Sequence, residues 1–186
     1  MNVEIINTVA SMTLGHPIDL KAVSNLEPSN IYFKSESNGF GFKRIVWRFK
    51  KATVAIFKSG QILCLGAKSV KQAKSIMRKV FDALKFHGFI INTSFNFKVL
   101  NIIAKVDFGK SINLEDLAVK LEKCIYEPEM FSGLIYKDES TKAAFIIFSN
   151  GKTIIAGLKS EEQAAQAAKT IENLLSAVEV SVSIHE

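Results

Sequence analysis

Residues Phe57–Ala73 read FKSGQILCLGAKSVKQA, and residues Phe148–Ala164 read FSNGKTIIAGLKSEEQA. Set one above the other without a gap, seven of 17 positions are identical, at a register of 91 residues. A second correspondence lies upstream, where Val3-Glu4-Ile5-Ile6-Asn7 answers Phe97-Lys98-Val99-Leu100-Asn101 at a register of 94. Two blocks repeated in the same order indicate a duplication, with short length changes between them. The period is too long for a solenoid. The sequence therefore predicts two copies, residues 1–93 and 94–186, packed as a pseudo-symmetric pair.

Each copy reads the same way. An apolar, β-branched run opens it, at Val3–Thr13 and Phe97–Phe108. A short helix follows, expected over Asp19–Leu26 and Leu114–Lys123, the second with Asn113 as N-cap. Strands are expected at Ile45–Phe49, Thr53–Phe57, Leu134–Tyr136 and Ala143–Phe148, and hairpin turns at Ser59-Gly60 and Asn150-Gly151. One more strand then leads to a long helix. Ser69-Val70-Lys71-Gln72 and Ser160-Glu161-Glu162-Gln163 are capping boxes, in which a serine and a glutamine three residues on satisfy free N–H groups. Ala73, Ile76, Met77, Val80, Phe81 and Leu84 follow a 3.6-residue period, and Gly88 supplies a stop. The outer face of this helix is basic, with Lys71, Lys74, Arg78, Lys79 and Lys85. Its counterpart carries Glu161, Glu162, Glu172 and Glu179 against Lys169 alone.

Helices on one side of an antiparallel sheet bury one sheet face and leave the other open. These strands are apolar on both. Phe57, Leu63, Leu65, Phe148, Ile154 and Ala156 share one parity; Ile56, Ile62, Cys64, Ile147 and Ile155 take the other. Either something covers the second face, or it is an exposed apolar surface with a purpose.

Charge separates the copies. Residues 1–93 hold 14 Lys+Arg and 5 Asp+Glu, for a net +9, whereas residues 94–186 hold 10 and 13, for −3. Such asymmetry suits a protein that meets a polyanion and a differently charged partner. At 186 residues and 48% apolar content the chain can bury a core as one or two small domains. No apolar run reaches membrane-spanning length and the start lacks a signal-peptide pattern, so a soluble, intracellular protein is expected.

Nothing points to catalysis or to a cofactor. Gly60 and Gly66-Ala67-Lys68-Ser69 have the wrong spacing for a phosphate-binding loop, and Gln61–Leu65 between them reads as a strand. His16, His87 and His185 are scattered, and Cys64 and Cys124 have neither zinc nor disulfide spacing. Cys64 is opposite in parity to Leu63 and Leu65, which makes it a core residue under the helices.

Three segments carry a resemblance: Tyr126-Glu127-Pro128-Glu129-Met130-Phe131-Ser132-Gly133-Leu134-Ile135-Tyr136, Ile56-Phe57-Lys58-Ser59-Gly60 and Gly66-Ala67-Lys68-Ser69. They are similar, in turn, to the YEPE-x-FPGL-[IV]-Y, IF-x-SGK and TGAKS segments of the TATA-box-binding protein family of archaea and eukaryotes, which the chain resembles across nearly its full length. The resemblance implies an α+β saddle, a curved ten-stranded antiparallel sheet with four helices on the convex side and DNA under the concave side. It implies a transcription initiation factor that binds and bends A·T-rich promoter DNA through the minor groove. The implied partners are a transcription factor B-type protein and the RNA polymerase machinery, with no membrane and no small-molecule substrate. Location would follow the source, the cytoplasm or nucleoid in an archaeon and the nucleus in a eukaryote.

The same resemblance assigns roles to residues. Phenylalanine wedges that unstack base steps map to Phe131 and Phe148 in the second copy and to Phe57 in the first. Phe57's partner is Phe42 if Phe42–Arg48 aligns with Phe131–Lys137, or Phe40 if the spacing to Phe57 is kept; the first alignment is favoured. Asn7 and Asn101 map to asparagines whose amides meet minor-groove acceptors, with Val9 and Ile103 beside them. Leu63, Leu65, Ile154 and Ala156 lie on the same apolar face. Arg48, Lys68, Lys137, Lys152 and Lys159 map to phosphate-contacting positions. Glu127, Glu129 and Met130 map to an acidic stirrup, and Lys71, Lys74 and Arg78 to a regulator-binding helix.

Departures from the family pattern bear on base readout. Ile6 and Leu100 replace glutamines, Leu65 and Ala156 replace threonines, and Tyr32–Gly41 lacks the usual Tyr-x-Pro segment. They keep open an alternative, a divergent protein-interaction or regulatory module with weakened or altered DNA preference. RNA binding on an open sheet is a further rival, though wedge residues suit a duplex minor groove better.

Overall fold

A computed structural model describes the backbone of residues 2–26, 32–37, 42–121 and 123–182, and the side chains of residues 2–26, 44–121 and 123–177. Phe40 and His185 lie outside the described residues, and the side chains of Phe42 and Glu179 lie outside the described side chains. The expected class, α+β with ten antiparallel strands and four helices, is what the described residues form. The chain divides into two compact units, one of residues 7–100 and one of residues 101–186 with residues 1–6.

The first unit contains most of β1 (Asn2–Thr13), α1 (Leu20–Ser24), β2 (Tyr32–Ser37), β3 (Phe42–Phe49), β4 (Ala52–Phe57), β5 (Gln61–Ala67) and α2 (Val70–Phe86). Its strands hydrogen-bond in the order β2-β3-β4-β5-β1. One sheet face carries Ile45, Trp47, Val54, Ile56, Ile62 and Cys64, all fully buried. The apolar stripe of α2 covers it, with Ala73, Ile76, Met77, Val80, Phe81 and Leu84 buried as the periodicity predicts. Burying six such side chains contributes on the order of 10 kcal/mol, which the conformational entropy of ordering the chain largely offsets.

The second unit contains most of β6 (Lys98–Asp107), with α3 (Leu114–Lys120), β7 (Cys124–Ile125), β8 (Gly133–Lys137), β9 (Ala144–Phe148), β10 (Lys152–Leu158) and α4 (Glu161–Val182). Its order is β6-β10-β9-β8-β7, the same connectivity as the first. Leu134, Phe145, Ile147, Ile155, Ala104 and Val106 are fully buried, against Ala164, Ala167, Ala168 and Ile171 of α4.

Two local expectations need correction. The short helices are shorter than Asp19–Leu26 and Leu114–Lys123. Asp19 is the N-cap of α1, accepting from the Lys21 N–H at 2.9 Å, and Leu121 turns extended after Lys120. In the capping boxes, Ser69 Oγ accepts from the Gln72 N–H at 3.0 Å, as expected. Gln72 Oε1, however, takes the N–H of Lys68, one residue before the cap, at 2.7 Å. Gln163 does the same to Lys159, also at 2.7 Å. The glutamine thus ties the helix start to the end of the preceding strand.

Candidate nucleic-acid interface

In each unit the sheet face turned from the helices is only partly covered. In the second unit, strand register places Phe148 opposite Gly133, Ile135 opposite Ile146 and Ile146 opposite Ile154. Lys137 pairs with Ala144, and Ala144 with Ala156. These apolar residues are half-buried, apart from Gly133, whereas their strand neighbours Leu134, Phe145, Ile147 and Ile155 are fully buried. The face is an apolar sheet surface with a lysine at its end.

Phe131 and Phe148 meet here edge to face, with ring centroids 6.0 Å apart, and Phe131 remains 43% exposed. Gly133 makes the arrangement possible. A Cβ at that position would stand 2.8 Å from Phe131 Cε1 and 3.1 Å from Phe148 Cε1. The Phe131 N–H donates to the Glu127 carbonyl at 2.9 Å, so the turn bearing Glu127, Glu129 and Met130 also fixes the ring's approach. All three of those side chains are exposed, Met130 at 82%. Tyr126 Oη donates to Glu115 Oε1 at 3.1 Å, which ties the turn to α3.

The first unit repeats the register. Arg44 pairs with Phe57, Val46 with Ala55 and Arg48 with Thr53. Thr53 pairs in turn with Leu65, and Ala55 with Leu63. Matching Arg44–Phe57 to Gly133–Phe148 sets Phe42, two residues before Arg44, level with Phe131, two residues before Gly133. Leu63 is half-buried and Leu65 is 39% exposed.

The two asparagines occupy equivalent places. Asn7 Oδ1 accepts the Gly66 N–H at 2.8 Å, and Asn101 Oδ1 accepts the Gly157 N–H at 2.9 Å. Only an oxygen can accept from an N–H, so each amide's orientation is fixed, and its NH2 group is left as a two-proton donor. Gly66 and Gly157 have φ of +87° and +92°, the left-handed region that a side chain disfavours. Each lies where the last strand of its unit shifts register against the first. The bulge is what aims the N–H at the asparagine. Val9 and Ile103 are half-buried beside them, between buried neighbours Thr8 and Ala10, and Ile102 and Ala104.

The expected phosphate-contacting cations Arg48, Lys68, Lys137, Lys152 and Lys159 are all exposed. On α2, Lys71, Lys74 and Arg78 are exposed as well, but the Arg78 guanidinium lies 3.9 Å from the Phe95 ring centroid. Phe95 packs edge to face on Phe81 at 5.6 Å, so Arg78 also caps the core. Cys64 is fully buried, and burial pushes its thiol up to about 11, as befits an inert core sulfur. No cluster of three or more potential metal ligands occurs among the described residues. None of the described helices is long and apolar enough to cross a membrane.

Sequence reading missed three members of the open faces. Ile135 and Ile146 follow from strand register alone, and Arg44 from the alignment of β3 with β8. Lys105 stands opposite Ile154 and pairs with Glu4 at 3.3 Å, an exposed ion pair of little energetic weight.

The sequence model of the family described as "Transcription factor TFIID (or TATA-binding protein, TBP)" matches residues 2–87 and again residues 96–178. The chain is 36% identical to the TATA-box-binding protein of Methanocaldococcus jannaschii over 169 residues, 91% of each chain. It is 38% identical to that of Methanothermobacter thermautotrophicus over 167 residues, 88% of this chain and 89% of the other. Among solved structures, the Methanococcus jannaschii protein superposes with a TM-score of 0.79 at 35% identity, covering 96% of this chain and 99% of that one.

Proposed function

The chain belongs to the TATA-binding protein family of transcription factors, and on that premise we propose that it binds and bends A·T-rich promoter duplexes through the minor groove. One observation carries the reading. Each unit exposes an apolar sheet face with an asparagine beside it whose acceptor oxygen is already committed internally. A minor groove over A·T pairs presents only acceptors, adenine N3 and thymine O2, so an outward NH2 is complementary to it. Guanine N2 adds a donor that clashes with that NH2.

The steps follow from the side chains. Ile135, Ile146 and Ile154 in one unit, and Leu63 and Leu65 in the other, exclude water from the groove floor. Phe131 with Phe148, and Phe42 with Phe57, enter base steps and unstack them, costing a few kcal/mol that the added apolar contact offsets. Arg48, Lys68, Lys137, Lys152 and Lys159 neutralise phosphates, so affinity falls steeply with salt. Glu127, Glu129 and Met130 offer an acidic, partly apolar loop to a basic transcription factor B-type partner that brings in the polymerase machinery. The basic face of Lys71, Lys74 and Arg78 serves a regulator.

A second reading rests on Leu65 and Ala156, which bring no hydroxyl to the open face. It is a protein-interaction module that has lost base discrimination. Gel-shift and bending measurements on TATA-like against G·C-rich duplexes, at several salt concentrations, decide between the two. Tight, salt-sensitive, bent complexes on the A·T-rich duplex are expected. Absence of binding, or binding without a bend, overturns the proposal.

A further inference from the structure

We propose that the first unit carries a docking trough for an acidic polypeptide segment with an apolar anchor, set between the β3–β4 turn and α2. The inference rests on the reading of α2 as a regulator's surface and deepens it. It stands apart from the sheet face proposed to meet DNA.

A short turn opens the trough. Phe49 pairs with Ala52, so Lys50 and Lys51 alone join β3 to β4. In the second unit Asp138 stands at the place of Phe49, its N–H bonds to the Ala143 carbonyl, and residues 139–142 make a longer turn. Ser140 and Thr141 donate their hydroxyls to Asp138, which closes that turn on itself. The space left beside α4 is about 150 Å³, lined by Ser140, Thr141, Leu158, Gln163 and Gln166, none of them charged. Beside α2 the space is about 490 Å³. Phe49, half-buried, and Ile76 form its apolar wall. Lys50 and Lys51 rim it from the turn and Lys71 and Lys79 from the helix, all four exposed. Lys71, Ser75 and Lys79 recur every four residues, so they make one stripe along α2. Lys74 and Arg78 lie on the neighbouring stripe, where the Arg78 guanidinium already stands over the Phe95 ring at 3.9 Å.

Charge selects the occupant. None of the four lysines forms an ion pair among the described residues. Like charges gathered round one trough repel each other, and a partner bearing carboxylates relieves that repulsion. Phosphates would meet the same lysines, but a duplex backbone leaves the wall of Phe49 and Ile76 unused. An apolar side chain flanked by aspartates or glutamates uses both, the wall for burial and the rim for charge. At a register of 91, Glu162 stands at the place of Lys71 and Thr170 at that of Lys79. The second unit therefore repels the segment that the first one takes.

The test uses the full chain and a labelled short peptide of aspartates and glutamates around one central phenylalanine, followed by fluorescence anisotropy. Companion peptides replace the phenylalanine by alanine, or every acid by its amide. Wild type is compared with Lys79→Glu, Lys79→Gln and, on the neighbouring stripe, Lys74→Glu, each checked for an unchanged thermal transition. A mixed-sequence duplex is titrated in parallel. Wild type is expected to bind the parent peptide, more weakly as salt rises, and not to bind the amide peptide. Lys79→Glu should weaken binding roughly ten-fold, and loss of the phenylalanine should cost as much. If wild type does not bind the parent peptide, or binds the alanine peptide equally well, the trough proposal is overturned. If Lys74→Glu loses the peptide and Lys79→Glu keeps it, the trough falls while the reading of α2 as a regulator's surface stands. Peptide binding indifferent to both substitutions removes α2 from both readings. If Lys79→Glu weakens the duplex alone, the lysine serves nucleic acid and the trough proposal falls. Should Lys79→Glu melt early, Lys79→Gln decides by the same readout.

Discussion

Asn101 Oδ1 takes the N–H of Gly157 at 2.9 Å across the register shift between β6 and β10, and Asn7 does the same with Gly66 at 2.8 Å. One hydrogen bond thereby does two jobs. It satisfies a backbone donor at a bulge, and it turns a chemically ambiguous amide into an oriented donor.

That orientation separates Asn101→Asp from Asn101→Ala. The aspartate keeps an oxygen for Gly157 and replaces the outward NH2 with a second acceptor. Its melting temperature is expected to stay near wild type, while affinity for an A·T-rich duplex falls by about 2–3 kcal/mol, from lost donors and added repulsion. Differential scanning calorimetry and fluorescence-anisotropy titration on the same preparation check the pair of outcomes.

Phe131→Ala/Phe148→Ala removes the edge-to-face pair from a surface that is largely open, so global stability is expected to drop by only about 1–2 kcal/mol. The bend should shrink by the kink that unit contributes, since the first unit keeps its own proposed wedge of Phe42 and Phe57. Donor–acceptor energy transfer between duplex ends reads the bend directly. A bend of wild-type size would remove the wedge assignment.

Gly133→Ala separates stability from bending more finely. Its nearest clash, 2.8 Å, is with the far end of the Phe131 ring, which is 43% exposed and can swing aside. Unfolding free energy should change by less than about 1 kcal/mol, while the displaced ring enters its step less deeply. A smaller bend at nearly unchanged denaturation midpoint is the expected signature.

Asp138 makes a pH prediction. Burial raises its pKa, but Ser140 Oγ at 2.6 Å, Thr141 Oγ1 at 2.6 Å and the Thr141 N–H at 2.7 Å outweigh burial and hold the carboxyl below its ordinary value. A depressed folded-state pKa stabilises above the unfolded value of 3.8 and loses that contribution as pH falls through the folded value. Wild type should therefore exceed Asp138→Asn in stability at pH 7, with the gap closing below about pH 4. Urea denaturation at pH 7 and at pH 3 measures it.

Thr153 is fully buried, and its hydroxyl finds no hydrogen-bond partner among the described residues. Thr153→Val keeps the shape and removes a desolvated polar atom. It is expected to raise the unfolding free energy by about 1 kcal/mol. Chemical denaturation checks this, and a destabilised variant would mean the hydroxyl is satisfied.

Much of this molecule was legible in the chain itself. Period-two patterning separated Ile56, Ile62, Cys64, Ile147 and Ile155 from Phe57, Leu63, Phe148 and Ile154, because alternate side chains of a strand must take opposite faces. The 3.6-residue stripe of α2 likewise fixed which six residues are buried. The internal repeat gave the paired order of elements, since one sequence pattern written twice has the same local solutions. Three things were decided only by tertiary structure. The short helices are shorter than the apolar pattern suggests because Asp19 caps the start of α1 and Asn25 its end, and because Leu121 turns extended after α3. The first unit's alignment, with Arg44 in place of Gly133, emerges from hydrogen-bonded register between strands, which a single strand's sequence does not specify. The direction in which Asn7 and Asn101 present their amides depends on a backbone N–H delivered from 59 and 56 residues away. Sequence dictates what a side chain can donate or accept; only the folded chain determines which of those capacities is already spent.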